Sequence, residues 1–176
     1  MIILAIDASI RNTGLVVFDY GEIVYHEVFC TIEQKKILGV SQSERDMYRI
    51  NSIIDKIKDI CYDYQVNFIV SEQVISGCKS ASALKTLSLI AGMMYGINKL
   101  FLPVQFINTR KVKLSVTGKN NASKEEIIEA VLKLYPSLTS SLSSTRSQSG
   151  YNGIAEHIAD AVAVYKAYEK DNTCNV

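Results

Sequence analysis

The sequence contains no tryptophan, only two prolines and four cysteines among 176 residues, and its apolar runs are no longer than a β-strand. The cysteines, at positions 30, 61, 78 and 174, lack the short paired spacing of a zinc site, and their scatter argues against a disulfide framework. Since neither a targeting segment nor a membrane span is recognisable, we expect a cytoplasmic protein without membrane contacts. Such a location suits a bacterium, a phage-infected cell or a virus that replicates in cytoplasm.

Acidic residues are absent from a long central interval, between Glu72 and Glu125, although the net charge is only +1. The basic residues of this interval are Lys79, Lys85, Lys99, Arg110, Lys111, Lys113, Lys119 and Lys124. The pattern predicts a bipolar molecule with a basic middle segment. Lysine and arginine on one face release counterions when they meet phosphates, so nucleic acid is a candidate partner, while a solvated basic face is the alternative.

The hydrophobic content of 48% predicts one domain over residues 1–176. Periodicity predicts strands at 2–8, 13–19 and 22–30, a helix at 41–64, a strand at 66–74, a helix at 80–99, a strand at 103–107 and helices from Ser123 and Gly153. Three consecutive strands followed by alternating helices and strands indicate an α/β fold with a mixed sheet and helices on both faces. The segment 137–153, rich in Ser and Thr, is predicted to be a mobile loop.

Four ionisable residues stand where the pattern predicts burial. Asp7 interrupts the first strand and Glu72 ends a later one, and we expect these strands to be neighbours. His157 and Asp160 lie three apart on the last helix, on one face beside its apolar positions, so both are predicted to point inward. Glu156 is predicted to lie on another face. The apolar positions of that helix are Ile154, Ala161, Val164 and Tyr168.

Clustered carboxylates repel one another unless a divalent cation supplies positive charge, and Mg²⁺ suits a set of oxygen ligands. Each residue taken alone has an ordinary explanation. Asp7 could accept hydrogen bonds from the following turn, Glu72 could be the polar end of a strand, and His157 could be a structural histidine. Asp160 could pair with a lysine. The metal hypothesis depends on all four residues meeting in one pocket.

Four segments carry a family resemblance: AIDASIRNTG (5–14), SEQVISGCKSASALKTLSLIAG (71–92), INTRKVKLSVTGKNNASKEEIIEAV (107–131) and EHIADAVAVYKAY (156–168). Together they resemble the RuvC-type Holliday-junction resolvases, which are RNase H-like (retroviral-integrase-like) nucleases. The resemblance implies an RNase H-like five-stranded sheet in which three antiparallel strands are followed by parallel strands. It also implies a homodimer that makes paired nicks in four-way DNA junctions during recombination and repair, leaving ligatable ends. It names no helicase partner.

The resemblance also implies roles for individual residues. It makes Asp7, Glu72 and Asp160 catalytic metal ligands and puts His157 at a fourth position where many relatives carry Asp. It implies two Mg²⁺ ions in each active site, for which we expect Mn²⁺ to substitute. Lys113 and Lys124 stand where phosphate-contacting lysines are expected. Weaker candidates for the DNA backbone track are Lys79, Lys85, Arg110, Lys111 and Lys119.

Two further positions bear on DNA opening and assembly. Ile75 occupies a place where many relatives carry an aromatic wedge, which predicts looser junction selectivity, unless Ile75 packs in the core. Gly92 and Gly96 create a flat helix face. The resemblance implies that this helix contributes to the dimer interface, while internal packing is the alternative.

Three other functions compete with junction resolution. A catalytically weak branched-DNA-binding module would keep the fold after His157 had impaired metal binding. An RNase H-like nuclease could act on forks, flaps or RNA–DNA hybrids. AIDASIRNTG also resembles the first phosphate loop of actin-like and sugar-kinase ATPases, but those proteins need a second domain for which the chain is too short.

Overall fold

A computed structural model describes residues 1–31, 40–73, 80–143, 146–147, 150–151 and 153–173. The strands are β1 (Ile2–Asp7), β2 (Asn12–Asp19), β3 (Glu22–Cys30), β4 (Phe68–Glu72), β5 (Val104–Ile107), β6 (Arg146–Ser147) and β7 (Gly150–Tyr151). The helices are α1 (Gln42–Asp63), α2 (Ala81–Leu100), α3 (Thr109–Thr117), α4 (Lys124–Leu134), α5 (Thr139–Ser143) and α6 (Gly153–Thr173), with a 3₁₀ turn at Pro136–Leu138.

Five strands form the main sheet in the order β3-β2-β1-β4-β5. The first three strands are antiparallel, and β4 and β5 run parallel to β1 and to each other. The hairpin between β2 and β3 turns at Tyr20 and Gly21, both at positive φ, where glycine carries no steric penalty. The predicted mixed α/β sheet is therefore confirmed.

Helices cover both faces of the sheet, and each face has its own apolar core. On one face α6 packs across the strands beside α3 and α4, around Val16, Phe18 and Val70. On the other face α1 and α2 pack against Leu4, Ile6, Leu15 and Ile69. The buried side of α6 carries a series of alanines that lets its backbone approach the sheet closely: Ala155, Ala159, Ala161, Ala163 and Ala167.

Local sequence signals account for the helix boundaries. Ser41 and Ser123 cap α1 and α4, each through a capping box with the glutamate three residues later, Glu44 and Glu126. The predicted strand over 66–74 is shorter in the structure, where β4 runs from Phe68 to Glu72, and its last predicted residue, Val74, lies outside the described residues. Helix α3 was not predicted; Asn108 caps it, and Gly118 ends it at a φ of 70°.

Three expectations differ from the structure. The predicted loop 137–153 contains the end of the 3₁₀ turn, α5 and the β6–β7 hairpin, because Leu138 and Leu142 are buried and anchor the segment in the core. Its mobility stays a prediction. Ile154 is 49% exposed rather than part of the buried stripe, and Met47 and Leu84 lie at exposed edges of α1 and α2. None of the helices in the described ranges is long and apolar enough to cross a bilayer.

Candidate active site

The site lies at one edge of the sheet, where β1 and β4 end side by side. The two strands are parallel, and Ile6 pairs with Ser71, so the next residues are Asp7 and Glu72. The carboxyl ends of neighbouring parallel strands meet at the same edge, and each of these strands ends with a carboxylate. The predicted proximity of Asp7 and Glu72 follows directly from this register.

The first turns of α6 bring His157 to Asp7. The His157 Nδ1 atom lies 2.6 Å from Asp7 Oδ2, and both side chains are about four-fifths buried, with exposed fractions of 20% and 21%. Gly14, which pairs with Asp7 across β1 and β2, makes this approach possible. A Cβ atom at position 14 would lie 2.1 Å from the His157 carbonyl oxygen, so only glycine fits without movement.

Repulsion and burial perturb the carboxylates of this edge. The pKa of Asp160 is raised from 3.8 to about 7, mainly by burial and in addition by the charges of Asp7, Glu156 and Glu72, while His157 opposes them. Burial is also the main reason for the raised pKa of Glu72, to which Asp7 contributes; a hydrogen bond from Thr109 and the charge of Lys113 act in the opposite direction. The carboxylates are therefore close enough to interact and lack sufficient positive charge.

The hydrogen bond to Asp7 raises the pKa of His157, and this effect outweighs the opposing effect of burial. The charges of Asp7, Glu156 and Asp160 add to it. The raised pKa favours the protonated imidazole, whose charge offsets that of Asp7 inside the fold.

The donor set suits a hard divalent cation, because it consists of carboxylate oxygens, and burial together with neighbouring negative charge raises the pKa values of Glu72 and Asp160. The arrangement is not a preformed metal centre, however. Within the described part of the chain, no three His, Cys, Asp or Glu side chains are grouped closely enough to hold an ion. The structure brings His157 into contact with Asp7 and places Glu72 and Asp160 within electrostatic reach of Asp7, and one shared metal pocket for the four residues stays a prediction.

Two of the predicted DNA-binding lysines border this edge. Lys113 acts electrostatically on Glu72, and its Nζ atom donates to the Ala122 carbonyl at 3.4 Å. Lys124, the first residue of α4, forms an ion pair with Glu156 and is also influenced by Asp160 and Asp7.

The weaker candidates lie differently. Lys111 pairs with Asp171 at 2.7 Å, near the end of α6 opposite to His157, and Lys119 pairs with Glu126 at 2.6 Å. Lys85 binds the buried Asp46 at 3.2 Å and joins α2 to α1. Arg110 is exposed at the start of α3. The prediction of a bipolar molecule needs correction, because folding brings acidic partners from the flanking segments to Lys85, Lys111, Lys119 and Lys124.

The remaining predicted positions fall in two groups. Ile75 and Lys79 lie outside the described residues. Gly92 and Gly96 are described, and added Cβ atoms would meet nothing within 4 Å. Internal packing therefore does not explain them. They line an apolar groove of about 740 Å³ between α1 and α2, together with Met47, Ile50, Ile54 and Leu100.

Sequence reasoning missed three residues of the site. Thr109 donates to Glu72 from the first turn of α3, two residues beyond β5. Gly14 could have been found because its neighbours in the strand are bulky and buried. Glu156 was assigned to another face of α6, and that assignment is wrong, because Glu156 and Asp160 are four residues apart and share a face.

Comparison with known proteins agrees with this architecture. Residues 3–168 match the family model described as crossover junction endodeoxyribonuclease RuvC. A relative of that name from Pelodictyon phaeoclathratiforme is 28% identical over 136 residues, which are 76% of this chain and 68% of that protein. Another from Rickettsia typhi is 29% identical over 140 residues, covering 77% of this chain and 83% of that protein. The structure of Thermus thermophilus RuvC in complex with a Holliday junction substrate superimposes with a TM-score of 0.69 at 18% identity, covering 98% of this chain and 97% of that chain.

Proposed function

The chain belongs to the crossover junction endodeoxyribonuclease RuvC family, and we propose that it resolves four-way DNA junctions with an active site built from Asp7, Glu72, His157 and Asp160. The observation that carries the proposal is the group of interacting carboxylates at the carboxyl ends of β1 and β4, with the pKa of Asp160 raised to about 7. Carboxylates with perturbed pKa values are typical of a functional site that binds a cation.

We assign the binding of two Mg²⁺ ions to Asp7, Glu72 and Asp160, with His157 as the fourth group. Bound divalent cations supply the charge that activates an attacking water and stabilises the leaving 3′ oxygen in phosphodiester hydrolysis. Thr109 orients the Glu72 carboxylate through its hydrogen bond. In its protonated form His157 neutralises Asp7, and in its neutral form its ring nitrogen is a metal ligand or accepts a proton.

We assign phosphate contacts near the scissile bond to Lys113 and Lys124. Lys113 acts on Glu72, and Lys124 is influenced by Asp160 and Asp7, which supports this role because the DNA backbone must pass close to the carboxylates that cleave it. Arg110 is exposed and extends the basic surface, and we keep it as a secondary contact. Lys85, Lys111 and Lys119 are weaker candidates, since Asp46, Asp171 and Glu126 already engage them.

We further propose that a second copy of the chain occupies the apolar groove between α1 and α2. A monomer would leave this groove, with Gly92 and Gly96 on its floor, open to water. A four-way junction is cut at two symmetric positions, and one chain has one group of catalytic carboxylates. A two-fold dimer through this groove supplies the second site.

Cleavage of a labelled four-way junction, with and without Mg²⁺ or Mn²⁺, tests the catalytic assignment. We expect Asp7→Asn and Glu72→Gln to abolish nicking while junction affinity stays close to that of the parent, because these side chains serve the chemistry. The matched control is Glu125→Gln, which removes a carboxylate from an exposed position on α4.

Other outcomes would replace the proposal. Full turnover by either variant would remove that residue from the active site. Junction binding by the parent without metal-dependent cleavage would favour a branched-DNA-binding module. Preference for an RNA–DNA hybrid in a competition assay would favour an RNase H-like activity.

A further inference from the structure

Glu156 lies between the catalytic carboxylates and the basic surface. It is the fourth residue of α6, one turn before Asp160, and its side chain is 27% exposed. Its Oε1 atom accepts a hydrogen bond from the Nζ atom of Lys124, the first residue of α4. The contact therefore joins two helices whose first turns both face the site.

The electrostatic environment places this ion pair at the edge of the catalytic group. The hydrogen bond to Glu156 is the largest reason for the raised pKa of Lys124, and the charges of Asp160 and Asp7 add to it. Glu156 also contributes to the raised pKa values of Asp160 and His157. The carboxylate of Glu156 thus holds the ammonium of Lys124 within reach of the catalytic group. No catalytic role requires this carboxylate.

Lys113 provides a useful contrast. Within the described residues it forms no ion pair, and its Nζ atom donates to the Ala122 carbonyl at 3.4 Å. A phosphate can therefore approach Lys113 without displacing a carboxylate. At Lys124 the phosphate must replace one, because the carboxylate of Glu156 already occupies the ammonium.

We propose that Glu156 is an autoinhibitory carboxylate that competes with a DNA phosphate for Lys124, so that DNA must break the Lys124–Glu156 ion pair before it engages this side of the site. The inference rests on the proposed function. It makes Lys124 available only to a phosphate that displaces Glu156. DNA whose phosphate does not displace Glu156 then gains less binding free energy from Lys124 than from Lys113. Glu156 therefore contributes to the selection of DNA substrates.

Metal-free binding to a labelled four-way junction and to a duplex, measured in EDTA over a range of salt concentrations, tests this competition. Glu156→Gln should lower Kd by about two- to fivefold at low salt, the factor expected for an exposed ion pair that no longer has to be broken. In the parent protein, DNA binding frees the Glu156 carboxylate, which takes up a cation and so offsets part of the cation release from DNA. Without this carboxylate, the slope of log K against log salt should steepen by up to about 0.9. A side chain that only supports the fold would not change this slope.

A double-mutant cycle identifies the partner of Glu156. In a Lys124→Gln background, Glu156→Gln should leave Kd and the salt slope unchanged. Glu125→Gln, which makes the same change in charge at the residue next to Lys124, is the matched control. On its own it should change Kd and the salt slope less than Glu156→Gln does. Equal tightening in the Lys124→Gln background, or no change of Kd and slope in Glu156→Gln alone, would overturn the inference. Glu156→Asp, which shortens the side chain, provides a second variant if Glu156→Gln fails to fold.

This binding experiment and the cleavage assay described above together separate the two proposals. Loss of metal-dependent cleavage in a parent protein that still binds DNA would refute the proposed catalysis and leave the competition at Lys124 intact. Normal cleavage with an unchanged slope in Glu156→Gln would refute the competition alone. Absence of binding to both DNAs would refute both.

Discussion

Gly14→Ala tests the closest contact of the site, the approach of α6 to β2. An ideal Cβ atom at position 14 would lie 2.1 Å from the His157 carbonyl oxygen and 2.7 Å from its carbonyl carbon. Both atoms belong to the helix backbone, so a side-chain rotation cannot relieve the clash. The first turns of α6 must move away from β2 by about 1.3 Å, from 2.1 Å to the 3.4 Å at which ordinary van der Waals contact begins.

This movement should affect both stability and turnover. Overpacking of this kind costs about 1 to 3 kcal/mol, which for a chain of this length corresponds to a fall in Tm of roughly 2 to 12 °C. His157 and Asp160 would be carried away from Asp7 and Glu72, and a displacement of about 1 Å in a catalytic group reduces turnover about 100-fold. Affinity for the junction should change little, because the lysines of α3 and α4 are not displaced.

The assays are a thermal melt and single-turnover cleavage of a saturating four-way junction at a temperature where the variant is folded. The matched control is Gly153→Ala at the start of α6, where an added Cβ meets nothing within 4 Å. The control should keep the Tm and the cleavage rate of the parent. If Gly14→Ala also keeps both, the close approach does not position His157 and the reasoning is wrong.

Two further predictions concern assembly and pH. Gly96→Arg should give a monomer in sedimentation velocity, whereas Tyr62→Arg, on the exposed surface of α1 outside the groove, should remain a dimer; a dimeric Gly96→Arg protein would contradict the proposed interface. The pKa of Asp160 is raised from 3.8 to about 7, mainly by burial. Between pH 3.8 and about pH 7, the folded chain therefore keeps the Asp160 proton, whereas the unfolded chain has lost it. The stability of the metal-free protein should therefore fall as the pH rises through this window, and Asp160→Asn should reduce the fall in thermal melts recorded in EDTA. An identical pH profile for parent and variant would show that Asp160 is not perturbed.

Much of the fold followed from local patterns. The strand and helix boundaries of β3, α1 and α4 were predicted to within a residue or two, because alternating apolar residues and capping serines act over a few positions. Helix α3 and the helix and strands within 137–153 were missed. Their apolar residues are few, and only contacts with distant parts of the chain reveal that Val112, Leu138 and Leu142 belong to the core.

The candidate residues of the proposed site could also be selected from the chain. Burying a carboxylate costs free energy of folding unless the group is paired or binds a cation, and Asp7 and Glu72 stand out because each ends an otherwise buried strand. The spacing of His157 and Asp160 predicted a shared inward face. The neighbouring Glu156 was misjudged, because its importance depends on Lys124, which lies 32 positions away in sequence.

The sequence by itself determined the α/β order of elements, the candidate acids and the family, because these depend on residue type and short spacing. Tertiary structure alone decided that Asp7 binds His157, that Gly14 must lack a side chain and that Glu156 occupies Lys124. It also decided that four lysines of the basic segment, Lys85, Lys111, Lys119 and Lys124, pair with carboxylates. Each of these facts joins residues from separate elements at distances of a few ångströms, and such distances are set by the packing of helices on the sheet rather than by local pattern.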